Sequence, residues 1–351
     1  MPSGWLSQAS APPWCWVTDR HPAACRGLPQ LEEQRRGLPD PAGPRAEARR
    51  PGQGLSPADL RLYGEGGCAV KRHSESLPPN DNGYTPELLR DVWENFVFKD
   101  EDVILLTYPK SGTNWLIETV CLIHTKGDTK WIQSVPIWER SPWVENVTGY
   151  DVIKDKEGPQ LISSHLPIQL FPKSFFSSKA KLIYLIRNPK DTLVSGYFFW
   201  RTTTFVKKPK SLEQYFEWFM QGNVIYGSWF DHIRGWMSMR EKENFLILSY
   251  EEMKRDTRST VEKICQFLGK KLEPEELDSV LKNSSFQAMK ENKMSNFSLL
   301  RGSHLTENAS LLRKGISGDW KNYFTVAQAE AFDKAFQEKL GDLPPELFPW
   351  K

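Results

Sequence analysis

The fold class is decided by one stretch of the sequence, Val103-Ile104-Leu105-Leu106-Thr107-Tyr108-Pro109-Lys110-Ser111-Gly112-Thr113-Asn114-Trp115. It begins with an apolar run that predicts a buried strand and continues through a polar turn. After the turn, Leu116, Val120 and Ile123 recur at helical spacing. Strand, short loop and helix in this order form the repeating unit of parallel sheets. The stretch therefore predicts an α/β fold.

Two further apolar runs have the same context and cover residues 182–186 and 245–250. Each is rich in residues that favour strands and is followed by polar or proline residues and a helical pattern. Runs that are apolar throughout indicate parallel strands with both faces buried. We therefore expect a central parallel sheet flanked by helices.

Short polar signals mark where several helices begin or end. The first helix is predicted to begin at Thr85, whose side chain can cap it, with Pro86 in its first turn. Further boundaries are given by two capping boxes and a C-terminal glycine: Ser211 with Gln214, Thr325 with Gln328, and Gly269.

The overall composition excludes several classes of protein. The chain has 351 residues with 46 Lys and Arg against 44 Asp and Glu, so its net charge of +2 is too small for a nucleic-acid binder. No window approaches the roughly 18 apolar residues of a membrane span. The five Cys lack C-x-x-C spacing, and the N-terminus does not resemble a secretory signal. We therefore expect a cytoplasmic protein.

The first 80 residues differ in composition from the rest of the chain. They contain 12 of the 25 Pro and nine Arg but only one Lys, and no apolar period of a helix or a strand. Such a segment cannot bury enough apolar surface to offset the entropy of ordering. We predict a disordered Arg/Pro-rich tail over residues 1–80 and one folded domain over residues 84–351.

The polar turn of the first stretch has the chemistry of an anion site. A helix N-terminus presents unpaired N–H groups and a partial positive charge, so residues 111–114 would form a cradle. Lys110 adds a full charge and Thr113 a hydroxyl. A capped turn with a solvated Lys110 is the structural alternative. Because Lys110 precedes Gly112 and no strand ends in a clear metal-holding Asp, a magnesium-dependent kinase is disfavoured.

Two other segments add cations at places where an anion could bind. Arg187 follows the second apolar run, where ligands of open α/β sheets bind, and Ser195 lies on the helix after it. The alternative for Arg187 is a salt bridge with Asp191. The third segment is Arg313-Lys314-Gly315, where the glycine lets main-chain N–H groups approach an anion. A solvated basic turn is the alternative there.

Together these motifs resemble those of the cytosolic sulfotransferases. The resemblance rests on residues 108–115, on residues 187–191 with Ser195, and on residues 313–320, and it extends over residues 84–351. Two stretches, residues 132–143 and 163–181, look like the alcohol or hydroxysteroid branch, which includes the bile-salt sulfotransferases. The resemblance implies a single P-loop-like α/β domain.

The resemblance also implies the cosubstrate, 3′-phosphoadenylyl sulfate, and the residues that hold it. The phosphosulfate would be held by Lys110, Ser111, Gly112, Thr113, Asn114 and Trp115. The 3′-phosphate would be held by Arg187, Ser195, Arg313, Lys314 and Gly315. The adenine would be surrounded by Trp115, Tyr250, Ser284, Phe286 and Met289.

His165, in the sequence Ser163-Ser164-His165-Leu166-Pro167, matches the family's catalytic base. A His with an ordinary pKa near 6.5 can accept an alcohol proton near neutral pH. The resemblance implies in-line transfer of a sulfuryl group to an alcohol, with Lys110 stabilising the leaving phosphate oxygen. It requires no metal, because Lys110, the arginines and main-chain N–H groups supply the countercharge. A structural role is the alternative for an isolated His.

Four aromatic residues match positions that line the acceptor pocket of the hydroxysteroid branch: Trp138, Trp143, Phe199 and Phe205. The resemblance thus implies a hydroxysteroid, bile acid or related alcohol as acceptor, although such aromatics also fill ordinary cores. The segment before Tyr84 and the loop over residues 298–309, with His304, differ from the family. A non-catalytic binder of steroid or nucleotide is therefore the second hypothesis.

The C-terminal region resembles the family's short dimer motif at Lys321, Thr325, Val326 and Glu330. The resemblance implies a homodimer with a small, self-complementary contact. The alternative is a capped surface helix, because Thr325 and Gln328 already form a capping box.

Overall fold

The computed structural model describes residues 85–350. The predicted tail over residues 1–80 lies outside the described residues, as does the predicted domain boundary at residue 84.

The centre of the fold is a four-stranded parallel sheet with the order β2-β1-β3-β4. Its strands are β1 (Val103–Thr107), β2 (Leu161–Ser164), β3 (Lys181–Ile186) and β4 (Phe245–Ser249). In the ladder, Leu106 of β1 lies opposite Ser164 of β2 and Tyr184 of β3. The predicted parallel sheet is confirmed.

Helices precede, connect and follow the strands. They are α1 (Pro86–Asn95), α2 (Thr113–His124), α3 (Lys130–Ser134), α4 (Ile137–Arg140), α5 (Val147–Ile153), α6 (Pro189–Trp200), α7 (Leu212–Gln221), α8 (Trp229–Met237), α9 (Tyr250–Arg255), α10 (Thr257–Leu268), α11 (Pro274–Asn283), α12 (Phe286–Glu291) and α13 (Val326–Leu340). Short 3₁₀ turns cover Ile168–Leu170, Lys173–Ser177, Ser298–Leu300, Asp319–Asn322 and Pro345–Leu347. Within residues 85–350, no helix is long and apolar enough to cross a membrane.

The predicted helix signals act where the sequence placed them. Thr85 caps α1 by accepting a hydrogen bond from the main-chain N–H of Leu88, and Gly269 ends α10 with a φ of 67°. The box of Thr325 and Gln328 at the start of α13 is complete. At α7, Ser211 accepts from the N–H of Gln214 as predicted, but the Gln214 side chain accepts from Lys210 instead of Ser211.

Successive strand residues point to opposite faces of the sheet, and helices cover both faces, so the sheet is buried on both sides. On one face, Ile104 and Leu106 pack into a core with helices α1, α8 and α13. On the other face, Leu105 packs into a second core with α2, α10 and α11. This double burial explains why the strands are apolar throughout.

Strand β2 was missing from the sequence-based expectation. Its four residues include two serines, so it has neither a long apolar run nor a clear alternation. Ser163 and Ser164 are nevertheless buried, and the hydroxyl of Ser163 forms a 2.8 Å hydrogen bond with that of Ser141. The strand depends on long-range partners, which explains why a local pattern did not reveal it.

Candidate active site

Every strand of the sheet is followed by a residue that the sequence placed in the functional site. Lys110 lies in the loop after β1, and His165, Arg187 and Tyr250 directly follow β2, β3 and β4. Because the strands are parallel, all four residues lie at the carboxyl edge of the sheet, where ligands of this fold class bind.

The turn between β1 and α2 has the strained backbone of a binding loop. Lys110 has a φ of 70°, which is unusual for a residue other than glycine. Gly112 has a φ of 108°, and a Cβ atom there would lie 2.8 Å from Cδ2 of Tyr250. Only glycine fits this position, so the main chain packs directly against the residue that follows β4.

Lys110 lies half-buried between the other cations of the site. Burial and the neighbouring Arg187 and Arg313 guanidinium groups lower the pKa of Lys110 to about 7. Its Nζ atom lies 3.7 Å from the centre of the Phe199 ring on α6. This ring contact and the half-burial show that Lys110 is not the freely solvated lysine of the structural alternative.

Arg187 is held by main-chain oxygens and an aromatic ring. It donates hydrogen bonds to the carbonyl oxygens of Lys110 (3.0 Å) and Ile316 (3.1 Å), and its guanidinium lies 4.2 Å from the centre of the Tyr250 ring. Asp191 instead accepts from the main-chain N–H groups of Gly318 (2.7 Å) and Trp320 (3.0 Å). The alternative of an Arg187–Asp191 salt bridge is therefore wrong.

The cations of the third basic segment form ion pairs with Asp319, a few residues further along the chain. Arg313 and Lys314 both donate to Asp319, at 2.6 Å and 2.7 Å, which helps to lower the pKa of Asp319 to about 2 despite burial. The next residue, Gly315, has a φ of 65°, and a Cβ atom there would lie 2.3 Å from the Phe286 ring. This glycine lets the segment pack closely against α12.

The residues expected around an adenine lie near these cations. The rings of Trp115 and Tyr250 are 5.4 Å apart and nearly perpendicular. Met289 is buried, and Phe286 packs beside Gly315. Ser284 is fully buried at the C-terminal end of α11. The arrangement presents aromatic faces and one hydroxyl to a flat, polar group.

Several buried polar atoms in this region have no hydrogen-bond partner among the described residues. Those that belong to the predicted nucleotide site are Ser111 Oγ, Asn114 Nδ2, Trp115 Nε1, Arg187 Nε and Ser284 Oγ. Buried polar groups are nearly always paired, so such a cluster indicates a missing ligand. All five can donate hydrogen bonds to phosphate oxygens: the three nitrogens can only donate, and the two hydroxyls can donate or accept. The residues present therefore fit the predicted donor.

His165 is held at both its ring and its main chain. Its Nδ1 atom lies 2.8 Å from the carbonyl oxygen of Thr107 and 3.0 Å from the Thr107 hydroxyl, and its N–H donates to Glu145 at 2.7 Å. Burial and the Lys110 charge lower the pKa of His165 to about 4, although the hydrogen bond to Thr107 opposes this. The histidine is therefore neutral at pH 7, with its Nε2 atom left for a substrate.

The four predicted acceptor aromatics fall into two groups. The Trp143 ring centre lies 6.0 Å from that of His165, and Phe199 packs against Lys110, so these two aromatics border the predicted catalytic residues. Trp138 packs against Phe297 at 5.3 Å, and Phe205 lies 6.5 Å from His304.

The loop over residues 298–309 explains the position of Phe205. Thr204 donates its main-chain N–H to His304, and Thr306 donates to Thr202. The loop thus fixes the segment that follows α6. Ser195 lies half-buried on α6 itself, about two turns before this segment.

Two carboxylates of the site, the buried Glu145 and the half-buried Glu251, were not identified from the sequence as site residues. Burial raises the pKa of Glu145, which accepts from the His165 N–H, to about 7. Burial also raises the pKa of Glu251 to about 7, and Glu251 accepts from the N–H of Asn188, next to Arg187. Each carboxylate accepts a hydrogen bond from a main-chain N–H group that is distant in the sequence, so no local signal could reveal its partner.

Two other predictions concern metal and dimer sites. In the described part of the chain, no group of three or more His, Cys, Asp and Glu side chains could hold a metal ion. In the predicted dimer motif, Lys321, Thr325 and Glu330 are exposed, and the Val326 side chain is 75% exposed. The capping box at Thr325 is present, so the helix alone explains part of the motif.

Comparison with known proteins agrees with the geometry. The family model of the sulfotransferase domain matches residues 100–344. Sulfotransferase 2A1 of Macaca fascicularis is 76% identical over 269 residues, which cover 77% of this chain and 94% of that protein. The 3-beta-hydroxysteroid sulfotransferase of Cavia porcellus is 65% identical over 269 residues, with coverage of 77% and 94%.

Solved structures show the same architecture. The crystal structure of mouse sulfotransferase SULT7A1 complexed with PAP has 33% sequence identity and a TM-score of 0.62, and the match covers 74% of this chain and 91% of that chain. The family model spans well over half of the sequence, and the relatives match along nearly their whole length. The chain is therefore a member of the sulfotransferase domain family.

Proposed function

We propose that this sulfotransferase transfers a sulfuryl group from 3′-phosphoadenylyl sulfate to the hydroxyl of a hydroxysteroid, bile acid or related alcohol. One observation carries the proposal: the sheet edge joins a cradle of unpartnered donors to a neutral histidine flanked by aromatic rings. This combination suits an anionic donor on one side and an apolar alcohol on the other.

The donor supplies an activated sulfuryl group attached to a phosphate oxygen. Residues 110–115 would hold its phosphosulfate, and Arg187, Ser195 and residues 313–315 its 3′-phosphate. Lys110 offers a positive charge that an incoming anion stabilises, because anion binding offsets the burial that lowers its pKa. We propose that these cations and N–H groups make a metal ion unnecessary.

His165 is proposed as the base. A new bond forms between the acceptor oxygen and sulfur while the bond from sulfur to the bridging phosphate oxygen breaks. The acceptor proton moves to Nε2 of His165, because Nδ1 is held by Thr107. Lys110 stabilises the negative charge on the departing phosphate oxygen.

The acceptor class rests on the aromatic residues and on the names of the relatives. Trp143 and Phe199 border the reacting groups, and a flat apolar acceptor can pack against such rings. A relative of 65% identity is named a 3-beta-hydroxysteroid sulfotransferase. We propose hydroxysteroids first, with bile acids as related acceptors.

A transfer assay tests the function. The full chain is supplied with sulfate-labelled donor and a panel of hydroxysteroids, bile acids and phenols, and labelled product is counted. We expect turnover with hydroxysteroids. A non-catalytic binder, the second hypothesis, would bind 3′-phosphoadenosine 5′-phosphate (PAP) but give no product with any acceptor.

The role of His165 has its own variant and control. We expect His165→Ala to lower the rate about 10²- to 10⁴-fold, as loss of a general base does, with unchanged PAP binding. His124→Ala is the control, since His124 is exposed on α2 and its ring faces Trp131 at 6.3 Å. A His165→Ala rate near that of the unmodified protein would remove His165 from the mechanism.

Three features of the whole protein stay proposals. We propose a homodimer through Lys321, Thr325, Val326 and Glu330, a cytoplasmic location, and a dispensable tail over residues 1–80 before a domain over residues 84–351. Limited proteolysis followed by a thermal melt tests the tail. A melting temperature that falls by many degrees after cleavage would show that the tail belongs to the fold.

A further inference from the structure

A chain of hydrogen bonds runs from the histidine to the anion cradle. The Nδ1 atom of His165 lies 3.0 Å from the hydroxyl of Thr107, which lies 2.7 Å from the hydroxyl of Thr113. Thr113 is the first residue of α2 and belongs to the cradle, whereas His165 is in the acceptor half of the site. Thr107 therefore joins the His165 ring to the cradle through hydrogen bonds.

The register of the sheet puts Thr107 at this place. Leu106 pairs with Ser164 in the ladder of β1 and β2, so the residues that follow, Thr107 and His165, are neighbours. Thr107 is fully buried at the end of β1. Its side chain is thus shielded from water, and its hydrogen bonds must be made within the protein.

Hydrogen-bond chemistry fixes the direction of this chain. A carbonyl oxygen can only accept, so the 2.8 Å contact with the Thr107 carbonyl requires a hydrogen on Nδ1 of His165. The Thr107 hydroxyl can then accept from the same N–H and donate to Thr113. The Thr113 hydroxyl keeps its hydrogen for an anion in the cradle. An anion in the cradle can accept this hydrogen, so its binding would complete the chain.

We propose that Thr107 is a positioning residue that couples anion binding in the cradle to the orientation of the His165 ring. The carbonyl of Thr107 keeps Nε2 free of hydrogen, and its hydroxyl transmits the state of Thr113. This inference rests on the proposed function, in which His165 is the base. In this role Thr107 acts through His165 and Thr113 and needs no contact of its own with either substrate.

Lys110 acts on the His165 ring through its charge, whereas Thr107 links the ring to the cradle through hydrogen bonds. Glu145 holds the main-chain N–H of His165, and His232 lies 3.2 Å from its carbonyl oxygen. Tyr226 and Trp143 contact the ring through their aromatic faces and edges. These groups fix the position of the residue, but none of these contacts connects the ring to the cradle.

The first experiment removes only the hydroxyl of Thr107. We expect Thr107→Val to lower kcat about tenfold, the effect of losing one neutral hydrogen bond, while the Kd for PAP changes less than about twofold. Thr107→Ser keeps the hydroxyl and should restore kcat. Ser141→Ala is the matched control. It removes a buried hydroxyl that hydrogen-bonds to Ser163 on β2 and is not part of the hydrogen-bond chain from His165 to Thr113.

A second measurement observes the His165 ring directly. In ¹⁵N-labelled protein, the ring nitrogens of His165 are assigned by their loss in His165→Asn. We expect a protonated Nδ1 and a bare Nε2 at pH 7, and a shift of the Nδ1 resonance when PAP is added. The same titration of Thr107→Val should give a much smaller shift.

The outcomes separate this inference from the proposed function. The coupling would be overturned if Thr107→Val and the unmodified protein had equal kcat values. It would also be overturned if the Nδ1 resonance of the unmodified protein did not shift when PAP is added. An increase in the PAP Kd that matches the loss of kcat would also overturn it, because Thr107 would then act on the cradle alone. If His165→Ala kept its rate, the proposed base itself would fail.

Discussion

The Nζ atom of Lys110 lies 3.7 Å from the centre of the Phe199 ring. Lys110 belongs to the proposed donor cradle, and Phe199 belongs to the proposed acceptor pocket. The two binding sites therefore share a contact at the point where the sulfuryl group would pass between them.

This contact predicts a selective effect of Phe199→Leu. The variant loses aromatic surface and the cation–π interaction, which contributes about 0.5 to 2 kcal/mol. We expect kcat/KM for a steroid acceptor to fall about tenfold, because Phe199 is proposed to contact that substrate, and the PAP Kd to stay within about threefold. Phe199→Tyr should keep most of the activity. PAP binding is measured by calorimetry and kcat/KM by initial rates. A loss of PAP affinity as large as the loss of kcat/KM for the acceptor would contradict the place of Phe199 in the acceptor pocket.

Lys110→Ala and Arg187→Ala should fail in different ways. Lys110 is proposed to serve the reacting phosphosulfate, so its loss should depress kcat more than donor binding. Arg187, with its unpaired Nε, is proposed to hold the 3′-phosphate, so its loss should mainly raise the donor Kd. An unchanged PAP affinity in Arg187→Ala would show that the 3′-phosphate assignment is wrong.

The pH dependence of kcat/KM for the donor follows from two lowered pKa values. Burial and the nearby arginines lower the pKa of Lys110 to about 7, so kcat/KM should fall as this charge is lost above that pH. Burial and the Lys110 charge lower the pKa of His165 to about 4, so the base is lost only in strong acid. Because kcat/KM reports the free enzyme, rates from about pH 5 to pH 9 should show only the alkaline limb.

Lys110→Arg is the control for this profile. Arginine stays charged throughout this range, so the alkaline limb should disappear even if the rate is lower. A flat profile for the unmodified protein between pH 6 and pH 9 would disagree with a lowered pKa for Lys110.

Gly315→Ala should weaken nucleotide binding. A Cβ atom there would lie 2.3 Å from the Phe286 ring, and the φ of 65° disfavours alanine. Phe286 must move, so we expect the PAP Kd to rise at least about tenfold, in line with a backbone cost of about 1 to 2 kcal/mol plus displacement of the ring. Gly318→Ala has a similar φ of 81° but open space around its Cβ. The same rise in both variants would assign the effect to backbone strain alone.

Val326→Glu tests the proposed homodimer. Val326 is 75% exposed, so a charge there should leave the fold intact but disrupt a small apolar contact. Val97→Glu is the control, since Val97 is 70% exposed outside the motif. Light scattering at micromolar concentration should give a dimer for the control and a monomer for Val326→Glu. A monomer for the unmodified protein would remove the dimer from the proposal.

The cradle of the donor site, residues 110–115, could be predicted from the sequence because its parts are local. Residues 103–115 contain a strand, its turn and the helix start in one continuous stretch, and each has a short-range physical signal. The capping signals at Thr85 and Thr325 are equally local, and the structure confirms them.

Long-range pairing explains what the sequence could not reveal. Strand β2 exists because Ser163 and Ser164 pair with β1, although their composition does not favour a strand. The link between Glu145 and His165 spans 20 residues, and that between Asp191 and Trp320 spans 129. Their residue types are ordinary, so only the fold shows what they hold.

The parallel register has a consequence for inherited variation in this protein. One residue of slip between β1 and β2 would displace His165 by about 3.3 Å and turn its side chain to the opposite face of the sheet. Ile104 and Ile162 pair in this register and are fully buried, so their packing opposes such a slip. A change at these positions acts on His165 through the register of the sheet as well as on stability. Disabling variants should therefore be sought in the interior of the sheet as well as around the substrates.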